Sequence, residues 1–140
     1  MGTVKYKYRI PSNDFIAAGE ASSSVKKMLA QIGISSDKIK KAAIAMYEAE
    51  INAVIHANGG TAGVEVFTDK VIINIEDNGP GIPDLELAMT EGFSTASDNI
   101  REMGFGAGMG LPNMKKYADD LKIDTRVGVG TKVTITVYFF

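Results

Sequence analysis

One stretch of the chain says most about its fold, and it reads Gly104-Phe105-Gly106-Ala107-Gly108-Met109-Gly110-Leu111. Glycine stands at every second position, so the backbone is free to adopt positive φ and a ligand can reach main-chain N–H groups. A helical pattern follows from Leu111 to Leu121. A helix N-terminus adds unpaired N–H donors and a positive dipole end, which suit phosphate. A glycine-rich turn that binds nothing has the same composition, so the rest of the chain has to decide between these interpretations.

The composition is that of an ordinary globular domain. The chain has 140 residues, of which 45% are hydrophobic and 23% charged, enough for one domain with its own core. Its net charge of −2 and the absence of a Lys/Arg run argue against a nucleic-acid partner. There is no cysteine, and His56 is the only histidine, which excludes disulfides and Cys- or His-rich metal clusters. Neither a membrane span nor a signal-peptide core is found, so we expect a cytoplasmic protein without membrane contact.

The order of the predicted elements indicates a two-layer α/β sandwich. Strands are predicted where apolar residues alternate, and helices where they recur with helical spacing between capping residues. The elements are a strand over Val4–Ile10, helices from Ser12 to Ile32 and from Asp37 to Ala57, strands near Gly63–Thr68 and Val71–Glu76, a helix over Gly110–Leu121, and strands near Lys122–Arg126 and Thr131–Phe139. Because short hairpins join most strands, three helices should cover one face of a mixed, mostly antiparallel sheet. The long irregular segment from Asp77 to Gly110 is typical of a functional lid.

The second predicted helix carries polar residues where a buried helix should be apolar. Glu48, Asn52 and His56 are four residues apart and form one polar stripe. Buried polar groups need partners, so one interpretation is a solvated edge or internal hydrogen bonds. In the other, Asn52 gives a neutral oxygen to a hard cation such as Mg²⁺, and Glu48 orients or deprotonates a hydroxyl. Glu50 points away from this stripe and is predicted to lie on the surface.

A third cluster, Asp77-Asn78-Gly79-Pro80-Gly81-Ile82-Pro83, follows directly after a predicted strand. Asp, Asn, Gly and Pro are all turn residues, so a simple turn explains the composition. Alternatively, the Asp77 carboxylate accepts a hydrogen bond from an exocyclic amine, such as that of adenine, and the glycines let the backbone approach a flat ring. A turn alone does not explain why three such clusters occur in this order.

Together the three clusters resemble the motifs of the GHKL ATP-binding superfamily, named for gyrase, heat-shock chaperones, histidine kinases and mismatch-repair ATPases. The segment from Glu48 to His56 is similar to the N box, Asp77 to Ile82 to the first glycine box, and Gly104 to Leu111 to the second. Gly130-Thr131 resembles the closing Gly-Thr pair of the family. The resemblance covers nearly the whole chain, residues 1–140, as a single domain. It implies the Bergerat fold, which agrees with the sandwich predicted above.

The resemblance also implies a role for each matched residue. The chain would bind ATP and Mg²⁺: Asn52 would ligate the metal and Glu48 would be the general base. Asp77, supported by Thr131, would accept a hydrogen bond from the adenine amino group. The other members of the implied nucleotide site are His56, Gly79, Gly81, Ile82, Gly104, Gly106, Ala107, Gly108, Met109, Gly110 and Leu111. The segment 83–103 would be the ATP lid.

The length of the chain narrows the function that the resemblance implies. Gyrase-type ATPases, chaperones and sensor histidine kinases carry further domains, whereas this chain resembles stand-alone anti-sigma factor and switch-type serine kinases. We therefore predict an ATP-dependent serine/threonine protein kinase or anti-sigma factor that phosphorylates a small STAS-domain partner. The alternatives are a nucleotide-dependent module that sequesters a sigma factor or other regulator without catalysis, and a histidine-kinase-like subunit with its phosphoacceptor on another chain. The strand Val4–Ile10 could pair across a homodimer or simply cover the sheet edge.

Overall fold

The computed structural model describes residues 4–10, 19–56, 59–82, 89 and 110–140, without the side chains of residues 55 and 56. In chain order its elements are β1 (Val4–Ile10), α1 (Glu20–Gln31), α2 (Ser36–His56), β2 (Gly60–Val66), β3 (Lys70–Asp77), α3 (Gly110–Tyr117), β4 (Asp120–Arg126) and β5 (Gly130–Tyr138). The predicted order of strands and helices is confirmed. None of the helices in this part of the chain has the length and apolar composition needed to cross a membrane.

The strands form one open sheet in the order β1-β2-β3-β5-β4, and every described pairing is antiparallel. Because β5 lies between β3 and β4, residues far apart in sequence become neighbours. Thr131 lies opposite Asp77 on one side and opposite Thr125 on the other. Three polar residues from three adjacent strands therefore share one row at the end of the sheet.

The core lies between one face of this sheet and the helices. Every second side chain of β3 and β5 is buried there, including Ile73 and Ile135. Helix α2 supplies much of the opposite wall through its buried residues, among them Ala42, Ala45, Met46, Ala49, Ala53 and Val54. The predicted two-layer sandwich is confirmed. Because side chains alternate along a strand, Asp77, Thr131 and Thr125 point to the same side of the sheet as the core.

The structure corrects two predicted helix boundaries. Helix α1 begins at Glu20, after the N-cap Gly19 with its positive φ, so the prediction of one helix running from Ser12 was wrong; Ser12 itself lies outside the described residues. Helix α3 ends at Tyr117, so the prediction that it continues to Leu121 was wrong. The N–H of Asp119 donates instead to the carbonyl of Thr136 (3.0 Å), and Leu121 pairs with Ile135 in the sheet. Tertiary strand pairing outweighs the weak local preference for helix at this point.

The Asp119 carboxylate fastens the α3–β4 connection to the rest of the sandwich. It accepts a hydrogen bond from the Lys41 ammonium of α2 through Oδ1 and one from the backbone N–H of Tyr138 (2.8 Å) through Oδ2. Desolvation raises the pKa of Asp119, but these hydrogen bonds and the charges of Lys41 and Lys38 together outweigh it. The pKa of Asp119 is therefore lower than the ordinary aspartate value of 3.8.

We expect these Asp119 contacts to make the stability of the chain depend on pH in acid solution. Because folding lowers the pKa, the stabilisation is complete above the unfolded-state pKa and is lost as the pH falls through the folded-state pKa. The free energy of unfolding in urea, measured from neutral pH downwards, should therefore converge for wild type and Asp119→Asn in acid. Asp124→Asn, which alters an exposed carboxylate of β4, is the matched control. A gap between wild type and Asp119→Asn that stays constant at every pH would contradict the assignment.

Candidate functional site

The polar row at the end of the sheet is organised around the Asp77 carboxylate. Its Oδ1 accepts hydrogen bonds from the backbone N–H groups of Gly79 (2.9 Å) and Thr131 (3.2 Å). Within the described residues, no hydrogen bond reaches Oδ2. Two main-chain donors thus hold the carboxylate in one orientation.

Two glycines let the backbone pack closely around this carboxylate. Gly130 has a φ of +146°, and a Cβ there would lie 2.1 Å from the carbonyl oxygen of Asp77. Gly81 has a φ of +79°, and a Cβ there would lie 2.4 Å from the carbonyl oxygen of Arg126. Both positions require glycine, because any larger residue would have to displace backbone. The segment after β3 is therefore pressed against the β4–β5 hairpin and forms one wall of the row.

Thr125 is a member of this row that the sequence reasoning missed. Its hydroxyl lies 2.8 Å from the Thr131 hydroxyl and accepts a hydrogen bond from the backbone N–H of Ile82 (2.8 Å). Ile82, a predicted site residue, is half-buried and packs against the core. A threonine in a strand is common, so nothing local marked Thr125; only the pairing of β4 with β5 brings it to Thr131.

Helix α2 carries the predicted polar stripe. Glu48 and Asn52 are half-buried and one turn apart, and His56 is the last residue of the helix. Burial raises the pKa of Glu48 above the ordinary glutamate value, and a hydrogen bond from the Asn113 side chain of α3 lowers it by a smaller amount. A carboxylate with a raised pKa is a stronger proton acceptor near neutral pH than an exposed one. Asn113 is a second residue that sequence reasoning missed.

Most of the predicted phosphate loop lies outside the described residues. This applies to Gly104, Gly106, Ala107, Gly108 and Met109, and to the predicted lid 83–103 apart from Met89. Helix α3 begins at Gly110, as predicted, and Leu111 is buried in the core. Helix α3 packs against α2, which explains how Asn113 reaches Glu48.

Glu50 does not lie on the surface, and that prediction was wrong. The side chain is 1% exposed and accepts hydrogen bonds from the backbone N–H groups of Gly19 (3.0 Å), Ala21 (3.2 Å) and Ser22 (3.1 Å). Among the described residues, the N-cap position of helix α1 is Gly19, which offers no side-chain cap. The Glu50 carboxylate of α2 therefore caps α1 and meets the positive end of its dipole. Helical spacing shows that Glu50 lies on a different face of α2 from Glu48. It does not show which other element that face contacts.

An open groove of about 320 Å³ separates the first turn of α1 from α2, and Glu48 lines it. The other lining residues are Gly19, Ser22, Ser23, Ala43, Ile44 and Tyr47. The Tyr47 ring lies so close to Gly19 that a Cβ on this glycine would come within 2.9 Å of it. The groove thus presents hydroxyl groups and apolar surface beside a half-buried carboxylate.

Comparison with known proteins assigns this architecture to a family. Residues 37–139 match the family described as "Histidine kinase-, DNA gyrase B-, and HSP90-like ATPase". The chain belongs to this ATPase family. This member is 31% identical over 124 residues to the serine/threonine-protein kinase RsbT of Bacillus subtilis, covering 86% of the chain and 85% of the relative. It is 32% identical over 123 residues to an anti-sigma F factor of Caldanaerobacter subterraneus, covering 84% and 82%. The predicted group, regulatory serine/threonine kinases and anti-sigma factors, is confirmed by these relatives.

Two solved structures share the fold of this ATPase-family member. The RsbU and RsbW domains of a Mycobacterium tuberculosis protein give a TM-score of 0.61 at 16% identity, over 98% of this chain and 32% of that one. The mycobacterial sensor histidine kinase MprB gives a TM-score of 0.53 at 19% identity, over 96% and 97%. At these identities the similarity concerns the fold alone. The binding roles of individual residues stay predictions.

Proposed function

We propose that this ATPase-family chain is an ATP-dependent serine/threonine protein kinase whose acceptor is a small STAS-domain regulatory protein. The observation that carries the proposal is Glu48, a half-buried carboxylate whose pKa burial raises, beside an open groove and one helical turn from Asn52. The named activity of the relative RsbT supports the same reaction. Since ATP is the phosphoryl donor, we propose the cytoplasm as its location.

The adenine base of ATP would bind at the Asp77 row. Asp77 Oδ2 would accept a hydrogen bond from the exocyclic amine, while Gly79 and Thr131 hold the other oxygen. The backbone of Gly81 and the half-buried side chain of Ile82 would face the ring. Such a site suits an amine donor, because the Asp77 carboxylate is an oriented hydrogen-bond acceptor.

The phosphates would lie toward α2, with Mg²⁺ bound to the amide oxygen of Asn52. Among the described residues, no cluster of three or more His, Cys, Asp or Glu side chains could hold a metal ion. A magnesium ion that takes one amide oxygen together with nucleotide phosphates and water needs no such cluster. When bound, the metal would neutralise phosphate charge. Gly106, Gly108 and Gly110 would supply backbone N–H groups to the same phosphates.

The acceptor hydroxyl would enter through the groove between α1 and α2. Glu48 would take the proton of a serine or threonine hydroxyl as its oxygen attacks the γ-phosphorus, and ADP would leave with the electrons of the broken P–O bond. Phosphoryl transfer depends mainly on positioning and charge stabilisation, so a single base and a preorganised site are sufficient. The groove offers the exposed approach that such an acceptor needs.

A second candidate function is sequestration of a sigma factor. Several relatives at 29–32% identity are named anti-sigma F factors, and this observation favours it. Binding a regulator requires a nucleotide-dependent surface but no transfer of phosphate. The two functions are therefore separated by whether a partner becomes phosphorylated.

The proposed function is tested by transfer of γ-labelled phosphate from Mg-ATP to the purified STAS-domain proteins of the source organism. We expect one of them to be labelled in an acid-stable form, as a serine or threonine phosphoester is. Acid-labile label would indicate a histidine acceptor and contradict the proposal. Binding of ADP without any labelling, together with binding of a sigma factor, would favour sequestration.

Asp77→Asn is expected to weaken ADP binding by roughly 10- to 100-fold, the effect of one hydrogen bond to a charged group. The amide oxygen can still accept the N–H groups of Gly79 and Thr131, so the fold should be kept. The amide nitrogen, however, would present a donor to the adenine amine, which is itself a donor. Titration calorimetry with ADP measures the effect, with Asp124→Asn as the control. An unchanged dissociation constant would refute the base-pocket assignment.

A further inference from the structure

The Thr125 hydroxyl occupies a branch point in the hydrogen-bond network of the Asp77 row. It accepts the backbone N–H of Ile82 at 2.8 Å, and this direction is certain because an amide nitrogen can only donate. Its oxygen also lies 2.8 Å from the Thr131 hydroxyl and 3.5 Å from the carbonyl oxygen of Gly130. Thr125 is half-buried and Thr131 only 9% exposed, so both hydroxyl groups are largely shielded from competing water.

The single Thr125 proton can be donated to one of two oxygen atoms. The two acceptors within reach are Thr131 Oγ1 and the carbonyl of Gly130. Hydroxyl hydrogen bonds to oxygen usually span about 2.5–3.0 Å, so the contact at 3.5 Å is weak and the one at 2.8 Å is good. Either hydroxyl can donate across the 2.8 Å contact, and one of the two arrangements has Thr125 donating to Thr131. The proton of Thr131 is then available to a ligand.

We propose that Thr125 is a positioning residue that makes the Thr131 hydroxyl a hydrogen-bond donor toward the bound base. The proposal rests on the nucleotide site proposed above. Asp77 would present an acceptor and Thr131 a donor in the same row. This pair matches adenine, whose 6-amino group donates and whose N1 accepts. The same pair does not match guanine or hypoxanthine, in which O6 accepts and N1–H donates. Binding one of those bases would therefore leave hydrogen-bonding groups unpaired.

A purely structural role for Thr125 gives a different expectation. If the hydroxyl only links Ile82 to β4, then its loss should make this side of the site less rigid. The affinity for every nucleotide should then fall by the same factor. If the hydroxyl orients Thr131, then its loss should lower the affinity only for those nucleotides that carry an acceptor at N1. The ratio of the affinities for two nucleotides therefore separates the two roles, whereas the affinity for a single nucleotide does not.

The test uses the full chain, titration calorimetry and three ligands: ADP, its 1-deaza analogue, and the diphosphate of purine riboside, which lacks the amine. In the wild type we expect removal of N1 to weaken binding roughly tenfold, as the loss of one oriented hydrogen bond would. In Thr125→Val this N1 penalty should fall to about twofold or less, while the penalty for removing the amine stays at its wild-type value. Thr125→Ser should restore the N1 penalty, and Thr61→Val, at an exposed threonine of β2, should change neither.

Three results would overturn the assignment of Thr125. The first is an equal loss of affinity for all three ligands in Thr125→Val. The second is a loss of affinity on removing N1 that stays at its wild-type size in that variant. The third is no loss of affinity on removing N1 in the wild type. If Thr125→Val does not fold, Thr131→Val removes the donor itself and should abolish the N1 penalty; a penalty that survives there overturns the proposal as well. Failure of the wild type to bind ADP at all would instead reject the proposed nucleotide site, and this inference with it.

Discussion

Glu48→Ala is expected to lower the rate of phosphoryl transfer from ATP to the acceptor by roughly 10²- to 10⁴-fold, the usual contribution of a general base. The affinity for ADP should stay within about twofold, because the carboxylate acts on the acceptor hydroxyl and not on the base of the nucleotide. The near-isosteric Glu48→Gln should be as inactive, since an amide cannot take the proton. Single-turnover transfer and calorimetry measure the two quantities separately. A large loss of ADP affinity in both variants would contradict the assigned role.

The pH profile gives an independent test of the same residue. A base must be deprotonated, so transfer should decline as the pH falls through the Glu48 pKa, and burial moves this decline above the ordinary glutamate value of 4.5. The Asn113 hydrogen bond lowers the pKa, so Asn113→Ala should move the decline to still higher pH. Glu65→Ala, which alters a carboxylate on the face of β2 opposite the buried Val64 and Val66, should leave the profile unchanged.

Glu50→Leu is expected to lower the free energy of unfolding by about 3 kcal/mol or more. The substitution removes a charged acceptor and leaves the N–H groups of Gly19, Ala21 and Ser22 without partners in a buried place. Equilibrium unfolding in urea measures the loss, and Glu50→Gln, which keeps an acceptor oxygen, should lose less. Glu65→Ala is the matched control and should change stability by about 0.5 kcal/mol or less. A loss of under about 1 kcal/mol in Glu50→Leu would show that water replaces the carboxylate.

Glu48 and Glu50 show how far one sequence can be interpreted. Both stand in the same apolar helix, two residues apart, and helical spacing correctly separates their faces. Spacing does not reveal that the first turn of α1 covers the face of Glu50, because that contact joins residues about 30 positions apart in sequence. The sequence therefore indicated which glutamate belongs to the polar stripe and misplaced the one that holds two helices together.

The sequence alone determined the sandwich, the order of its strands along the chain, and three motifs: the polar stripe of α2, the Asp77 segment after β3 and the glycine-rich run before α3. These features depend on local periodicity and on turn residues, which neighbouring positions control. Only the tertiary structure decided that Thr125 meets Thr131, that Asn113 meets Glu48, and that α3 stops at Tyr117. Each of these depends on the pairing of β4 with β5 or on the packing of α3 against α2. Contacts between distant segments leave no periodic signal in the residues that make them, and so the sequence could not show them.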